Sequence, residues 1–349
     1  MGNERMRERM AFLSKPEEEL RAVRGRELYD ALAALDLNHG HYFRALGVSF
    51  DEYCAREFGV DLGRITVDRF FQSDPNAKWL FPDLVREAVV AGMTRKPVYP
   101  QLIVRDEPVD GSAYDVPYVA EDAKNEELRD VAEGAAIPES EITYGDRIVR
   151  LDKKGRGVIA SYEVVRRMAV DMLRVHLRRM GERLGRTLDA RLAQVLVSGD
   201  SSGPATAAET LNTETPETWT YDDLLRGYMK LSVDHYFTPT HLVANADTCR
   251  ELLQMEPFKD AAVSDFAATG NWPTPLGAKL VPLAEHPANA VTLLDAGYAV
   301  SKLTEQDLLV ESDKLISRQW DRTYLTVVTD FAVIYEKARV VLNSDWVEE

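Results

Sequence analysis

Residues 133–200 form one continuous passage in which an acidic, turn-rich stretch gives way to a long arginine-bearing helical pattern that stops at Gly199-Asp200. Leu173, Leu177, Met180, Leu184, Leu188, Leu192 and Val195 recur every three or four residues. That spacing predicts one apolar stripe on a single helix, capped at Ser161 with Glu163 in its first turn and running to Ser198. Arg167, Arg174, Arg178, Arg179, Arg183 and Arg186 fall largely on other faces, so one side is expected to pack while another is basic. Gly181 and Gly185 each cost roughly 1 kcal/mol relative to Ala in mid-helix and mark an expected flex point. Their GxxxG spacing is not a membrane signal, because charges surround it. An acidic hairpin followed by a long basic helix suits a chain that lies edge to edge with neighbours better than it suits an enzyme pocket.

The acidic stretch has its own logic. From Arg105 to Arg147 there are thirteen Asp and Glu against four Lys and Arg, with Gly134 and Pro138 where turns are needed. Strands are expected near 114–119 and 142–160. So few apolar residues leave two readings open, a solvated loop or a two-stranded arm that is stable only when laid on another subunit, since an isolated hairpin is marginal in water.

Composition excludes more than it selects. The 349 residues, 45% hydrophobic and 29% charged, can bury a sizeable core in two or three lobes. No stretch approaches the roughly 20 apolar residues of a membrane helix, and no apolar signal core follows Met1, so the chain is expected to stay in the compartment that makes it. Cys54 and Cys249 lie far apart, which predicts two small buried thiols and no disulfide or zinc framework. A net charge of −16 argues against an ordinary basic nucleic-acid binder while leaving room for a local basic face.

Outside the helix the pattern divides by composition. Residues 1–76 read as two or three small helices, with Pro16-Glu17-Glu18-Glu19 at one start and a capping box at Ser49-Phe50-Asp51-Glu52. A packed subdomain, an assembly arm and a scaffold-like extension all fit them. Trp79 begins an apolar anchor and a short helix, and the chain then turns extended around Pro97, Pro100, Pro108 and Pro117. Beyond about residue 205 strand and helix signals alternate as in a mixed α/β domain. Thr220 caps a helix through about Val233, His241–Asn245 is a short buried strand, and Asp247–Met255 is another helix. Strands are expected at Lys279–Ala284, Ala290–Asp295, Tyr298–Leu303, Leu308–Glu311, Thr323–Val328, Phe331–Tyr335 and Arg339–Leu342.

Motifs that could carry chemistry are weak. Gly199-Asp200-Ser201-Ser202-Gly203-Pro204 is one residue from the GDSGGP of trypsin-like proteases, and a serine hydrolase built on it is the alternative of a different class. That chemistry needs a His held by a buried Asp, and none of His39, His41 or His176 has the expected context, so the motif is read as a helix stop. The six histidines show no metal-ligand spacing. Gly155-Arg156-Gly157-Val158-Ile159-Ala160 matches only a loose dinucleotide pattern outside any βαβ unit, and Lys153–Gly157 is read as a basic turn. No cofactor, metal or catalytic residue is indicated.

The order of the pieces carries a resemblance. An apolar N-terminal anchor, an acidic arm with Glu133-Gly134-Ala135-Ala136-Ile137-Pro138, Gly155-Arg156-Gly157-Val158-Ile159-Ala160-Ser161-Tyr162-Glu163 opening a long helix, and that helix's end at Gly199-Asp200 resemble the major capsid proteins of tailed bacteriophages. His241–Asn245 followed by a helix, Trp272–Gly277 before a strand, and the closing strands through Asp345 extend the likeness over about residues 77–345. The resemblance implies an α+β, Hong Kong 97-like capsid fold. Its parts would be an N-terminal helical arm (1–76), an arm anchor (77–96), an extended β-hairpin loop (97–160), the spine helix of a peripheral domain (161–204), an axial domain (205–315) and peripheral strands (316–349). Function would be that of a non-enzymatic shell protein forming hexamers and pentamers of an icosahedral virion capsid. Assembly would occur in the host bacterial cytoplasm, with a portal and possible scaffold or decoration proteins as partners and no membrane. Glu121, Asp122, Glu126, Glu127, Asp130 and Glu133 would lie on the inter-subunit loop, and charge there would discourage pairing with wrong edges. Arg167, Arg174, Arg178, Arg183 and Arg186 would face packaged DNA without sequence preference. Gly181 and Gly185 would bend during shell expansion, with Gly181→Ala plus Gly185→Ala expected to leave subunit folding intact. An encapsulin-type nanocompartment shell shares the fold and is the nearest alternative. Lys124 and Asn343 match no local cross-linking motif.

Overall fold

The computed structural model describes residues 2–35, 37, 39–73, 77–95, 97–119, 131, 142–143, 147–259, 272–318 and 320–346. Among these, helices come first: α1 (Gly2–Leu13), α2 (Glu17–Ala22), α3 (Gly25–Ala34), α4 (His39–Ala45), α5 (Phe50–Phe58), α6 (Val67–Ser73) and α7 (Ala77–Met93). Short strands follow, β1 (Asp106–Pro108), β2 (Ala113–Asp115), β3 (Tyr118–Val119), β4 (Ile142–Thr143) and β5 (Ile148–Arg150), then the longer β6 (Asp152–Ser161). α8 (Tyr162–Arg167) and α9 (Val170–Ser198) lead to β7 (Glu209–Asn212), α10 (Tyr221–Met229), β8 (His241–Ala244) and α11 (Ala246–Gln254). The chain closes with β9 (Trp272–Pro273), β10 (Lys279–Pro282), β11 (Ala290–Leu294), β12 (Val300–Leu315), β13 (Trp320–Val333) and β14 (Arg339–Asn343).

The chain forms two interleaved units. The first comprises Met1–Lys96, Lys154–Gly185 and Leu308–Val327. Its N-terminal part is a packed helical lobe with six short helices among the described residues, where two or three were expected. Stops between them are tight: Ser49 and Glu52 close the capping box at the start of α5, and Gly59 ends that helix at φ 65°. Aromatic side chains fill the lobe, with Phe43 and Tyr53 rings 5.0 Å apart between Tyr42, Phe50 and Phe70. The buried Tyr42 hydroxyl donates to the Leu20 carbonyl at 3.0 Å, so this core leaves that polar group satisfied.

This lobe also corrects the expected helix. The pattern from Ser161 to Ser198 is not continuous: Ser161 caps α8, and the chain leaves helical geometry at Met168 before α9 starts at Val170. Residues 65–67 take over the freed backbone groups. Ala169 bridges Thr66, Val67 N–H donates to Met168 O at 3.0 Å, and Val170 N–H donates to Ile65 O at 3.1 Å. A one-residue strand contact from elsewhere in the chain thus outcompetes helix continuation, and no local propensity announces it.

Residues 153–157 are also corrected, from a basic turn to part of β6. Gly155 lies where an added Cβ would come within 3.0 Å of Leu325 O, and Gly157 within 3.0 Å of the Tyr324 ring, so these glycines serve close strand neighbours.

The second unit comprises Pro97–Lys153, Arg186–Asp307 and Val328–Glu349. Its six-stranded sheet has the order β7-β14-β11-β8-β10-β9. β11 is antiparallel to both β8 and β14, while β10 runs parallel to β8 and β7 parallel to β14. β11 is buried along its whole length, which explains its mostly apolar sequence, and the hydroxyl of its one polar residue, Thr292, lies 2.8 Å from His286 Nε2. The capping box of Thr220 and Asp223 starts α10, and Gly227 on that helix lets Leu293 and Leu342 approach to about van der Waals contact. Asn245 caps α11. The expected strand pairs of 298–303 with 308–311, and 323–328 with 331–335, are joined into the single strands β12 and β13. Each carries buried polar residues that find partners elsewhere in the chain, Lys302 of β12 with Asp106 and Asp330 of β13 with Arg191.

The hairpin strands lie in this unit. β2 pairs antiparallel with β5, Tyr114 opposite Val149, and β3 pairs antiparallel with β4, Tyr118 opposite Thr143. β1 runs parallel to β12 with Asp106 opposite Lys302.

Candidate assembly interface and basic face

The spine helix α9 organises the residues singled out from the sequence. Its stripe is buried at Leu177, Leu188, Leu192 and Val195, in keeping with the 3.6-residue spacing. In the first unit the stripe meets α7 in a core of Val85, Ala88, Val89 and Leu177, joined by Leu308 and Leu325. Glycines set the separation. A Cβ on Gly181 would overlap the Val89 carbonyl, and one on Gly92 would overlap the Arg178 carbonyl, so the two backbones touch through hydrogen alone. Gly185 is looser, its added Cβ falling 3.1 Å from Met93 O. The mid-helix glycines are therefore placed for close packing, and α9 runs through both as one helix. This overturns the expectation that Gly181→Ala leaves subunit folding intact.

The arginines separate into two groups. Arg174 is buried and pairs bidentately with Asp51, through Nη1 at 3.0 Å to Oδ2 and through Nη2 to Oδ1. It also stands 5.8 Å over the Phe50 ring. Arg174 is thus a bolt between the N-terminal lobe and the spine, and leaves the set expected to face DNA. Beside it, burial pushes the Glu87 carboxyl up against the pull of Arg174. Arg167, Arg178, Arg183 and Arg186 are exposed, as is Arg179. At about 100° per residue, Arg179, Arg183 and Arg186 fall within about 60° of one another, on the side away from the apolar stripe. Exposed ion pairs thread this face: Arg179 and Arg95 both meet Glu182, and Arg186 meets Glu285. Hydrogen bonds from Arg179 and Arg95 hold the Glu182 carboxyl below its ordinary range.

In the second unit the same helix is held by buried charge. Asp189 accepts from the backbone N–H groups of Val98 and Tyr99 at 3.0 and 2.8 Å, while burial pushes its carboxyl up. Arg191 makes a bidentate pair with the buried Asp330, at 2.7 and 3.0 Å. At the helix end Gly199 takes φ 85° and Asp200 turns inward. One Asp200 oxygen accepts from Ser202, backbone and hydroxyl, and the other accepts from Val333 N–H at 2.8 Å. Arg339, fully buried, donates to Leu196 O at 2.9 Å and to Thr206 O, and burial lowers it to about 10. These carboxylates and arginines went unseen in the sequence because each partner lies far along the chain.

The protease-like motif has a structural job. Ser201 Oγ accepts from Arg150 N–H at 2.9 Å, and Ser202 Oγ is bound to Asp200, so one hydroxyl ties the turn to β5 and the other closes the turn itself, and neither meets a histidine base. Histidines meet carboxylates that sequence spacing did not reveal: His39 Nδ1 lies 2.5 Å from Asp83, and His235 Nε2 lies 3.0 Å from Glu209. Among the described residues no group of three or more His, Cys, Asp or Glu could hold a metal, and no helix is long and apolar enough to cross a membrane. Cys54 and Cys249 are buried and free, with burial raising both thiols to about 12. Glu121, Asp122, Glu126, Glu127, Asp130 and Glu133, together with Lys124, lie outside the described residues.

A family model described as phage capsid protein matches residues 144–342. Among solved structures, the capsid of a native GTA particle superposes with a TM-score of 0.56 at 15% identity, covering 73% of this chain and 91% of that one. A virus-like particle from Pyrococcus furiosus gives 0.50 at 12% identity, with 75% and 98% covered. Mycobacterium phage Che8 gives 0.50 at 16%, with 71% and 92% covered. No curated protein matches. At these identities the solved structures establish the fold, which is Hong Kong 97-like.

Proposed function

This chain belongs to the phage capsid protein family, and on that premise we propose that it is the major capsid protein of a tailed bacteriophage, its copies joined as hexamers and pentamers in an icosahedral shell around packaged double-stranded DNA. It is a structural protein whose copies self-assemble into a capsid shell. The family match carries the finer reading, because residues 144–342 take in the returning hairpin strand, the spine helix and the closing sheet together. In this reading the shell is built in the host bacterial cytoplasm with a portal, and with scaffold or decoration proteins where the shell needs them. The two-stranded arm formed by β2 to β5 lies on the neighbouring subunit, its acidic residues limiting mispairing. The exposed arginines, Arg167, Arg178, Arg179, Arg183 and Arg186, face the genome and meet phosphates without reading sequence. Bending on expansion is concentrated at the Gly181–Gly185 turn, where no Cβ resists it. The informative variant for that is Gly185→Ala alone, because Gly181→Ala disturbs packing within the subunit.

Expression of the chain, electron microscopy of the product and a nuclease-protection assay for enclosed nucleic acid test this reading. Closed shells holding protected double-stranded DNA in infected cells support it. Shells that hold only a protein cargo return the reading to the encapsulin alternative, and a chain that never assembles removes it. For the basic face, Arg179→Glu, Arg183→Glu and Arg186→Glu together should lower DNA retention and flatten its salt dependence. Unchanged packaging and salt slope in that variant would reject the DNA contact.

A further inference from the structure

Between β10 and β11 the chain makes a turn whose residues Ala284, Pro287, Ala288 and Asn289 are exposed, while one side chain in its middle, His286, is only 3% exposed. The imidazole reaches β11. Its Nε2 lies 2.8 Å from the hydroxyl of the fully buried Thr292, and its Nδ1 lies 3.3 Å from the Pro287 carbonyl. Thr292 stands opposite Val341 of β14, and side chains directly opposite one another share a face of the sheet. Val341 packs with Ala208 and Ala290 and against Val197 of α9, so the histidine is lodged on the face that the spine covers.

This setting suits a neutral ring. Nδ1–H donates toward the Pro287 carbonyl and Nε2 accepts from the Thr292 hydroxyl, which uses both nitrogens with a single proton. A charged ring here would be buried without a counter-ion, and that is costly. Burial lowers His286 to about 4, against the pull of the Pro287 carbonyl. The charged groups beside the turn are engaged elsewhere. Glu285 meets Arg186 of α9, and Asp189 of α9 is held by the Val98 and Tyr99 N–H groups. On β8 and β14 the residues opposite Thr292 are Val243 and Val341. The titratable groups of the neighbouring strands sit two residues beyond that level: His241 and Arg339 lie opposite Leu294, and Lys279 lies opposite His241.

We infer that His286 is a proton-operated latch: neutral, it pins the β10–β11 turn to the spine-facing side of the sheet, and on taking up a proton it leaves for water and releases the turn. The released ring carries its charge beside Glu285, its neighbour in the chain, so it competes with Arg186 for that carboxylate and loosens the ion pair by which the turn holds α9. The sign follows from the depressed folded value. The latch's contribution is fully present above the ordinary histidine value of 6.5 and is lost as pH falls from there toward about 4. The device rests on the fold alone and holds whatever a shell of these chains encloses.

The test is hydrogen exchange read by mass spectrometry on the full-length chain and on His286→Gln, from about pH 7 to about pH 4.5, expressed as protection factors so that the intrinsic pH dependence of exchange is removed. In wild type, protection of the amides at 283–290 is expected to fall at least about tenfold over that range while those of β13 hold. In His286→Gln the turn should keep a flat pH profile, whatever its absolute protection. A turn that stays protected in wild type at the acid end would overturn the latch, as would an equal fall in the variant. A fall shared equally by the turn and β13 would show general acid unfolding and overturn it too. Because turn and β13 are compared within wild type, the result decides even where the glutamine variant fails to fold.

Discussion

The two halves of the spine helix are held by opposite means. Residues 170–185 pack through glycine and apolar contact, and their ion pairs, Arg174 with Asp51 and Arg179 and Arg95 with Glu182, each have a largely exposed partner. Residues 186–198 and the turn beyond them are tied by Asp189, Arg191–Asp330, Asp200 and Arg339, all but Arg191 nearly or fully buried. The comparison teaches that one continuous helix can combine a close-fitting contact with a directional one. Apolar and glycine contact tolerates sliding in small steps, whereas a buried carboxylate that has lost its donors is strongly penalised and therefore fixes one position.

The largest effect should come from breaking the directional half. Asp200→Ala leaves Arg339 without its facing charge and Val333 N–H without an acceptor, so unfolding free energy should fall by about 3–5 kcal/mol in urea titrations. A loss below about 1 kcal/mol would show that the buried charges are not what holds this end. Next comes Gly181→Ala. Its Cβ would overlap the Val89 carbonyl, so a loss of about 1–3 kcal/mol or more is expected, despite the better helix propensity of alanine. Asp51→Ala should cost about 1–2 kcal/mol by stranding the buried Arg174, reduced by water at the exposed carboxylate, and Arg174→Met should recover part of it.

Asp189→Asn separates charge from geometry. Burial raises the folded-state carboxyl of Asp189, so the folded protein holds its proton more tightly than the unfolded chain. Wild type should therefore lose stability as pH rises from the unfolded value of about 3.9 through the raised folded value. Asparagine keeps an acceptor for Val98 and Tyr99, and the difference between variant and wild type should grow in the variant's favour over that window. Urea unfolding at stepped pH measures it, and a wild type that gains on the variant as pH rises would reverse the sign. The smallest effect is Gly185→Ala, where a 3.1 Å contact to Met93 O and a propensity gain of roughly 1 kcal/mol nearly cancel. A loss as large as that of Gly181→Ala would erase the distinction between the two glycines.

Much of this was legible in the chain. The apolar stripe of α9, the capping boxes at Ser49 and Thr220, the hairpin pairing and the helix stop at Gly199 all rest on neighbours a few residues apart, and local chemistry decides them. The break at Met168 was not, because Ile65 to Val67 reach it from about a hundred positions away. Arg174 illustrates the same limit within the site: helical spacing placed it off the stripe, and only the folded lobe supplies Asp51 to take it out of solvent. Arg339 reads as the start of a strand and Asp200 as part of a helix stop until the tertiary contacts bring their partners. What sequence periodicity conveys is which face is apolar, and what it omits is which distant group meets the polar one.

The make-up of the first unit has a consequence for the order in which this protein becomes a tile. Its core joins Val85 and Val89 to Leu177 and then to Leu308 and Leu325, so three segments widely separated in the chain must meet before it closes. The aromatic lobe closes on Val170 at the start of α9 and can condense while synthesis continues, whereas the spine waits for β12 and β13. Translation itself thus withholds a finished spine until nearly the whole polypeptide has emerged, and nascent chains crowded on one message are kept from joining a lattice before each is complete.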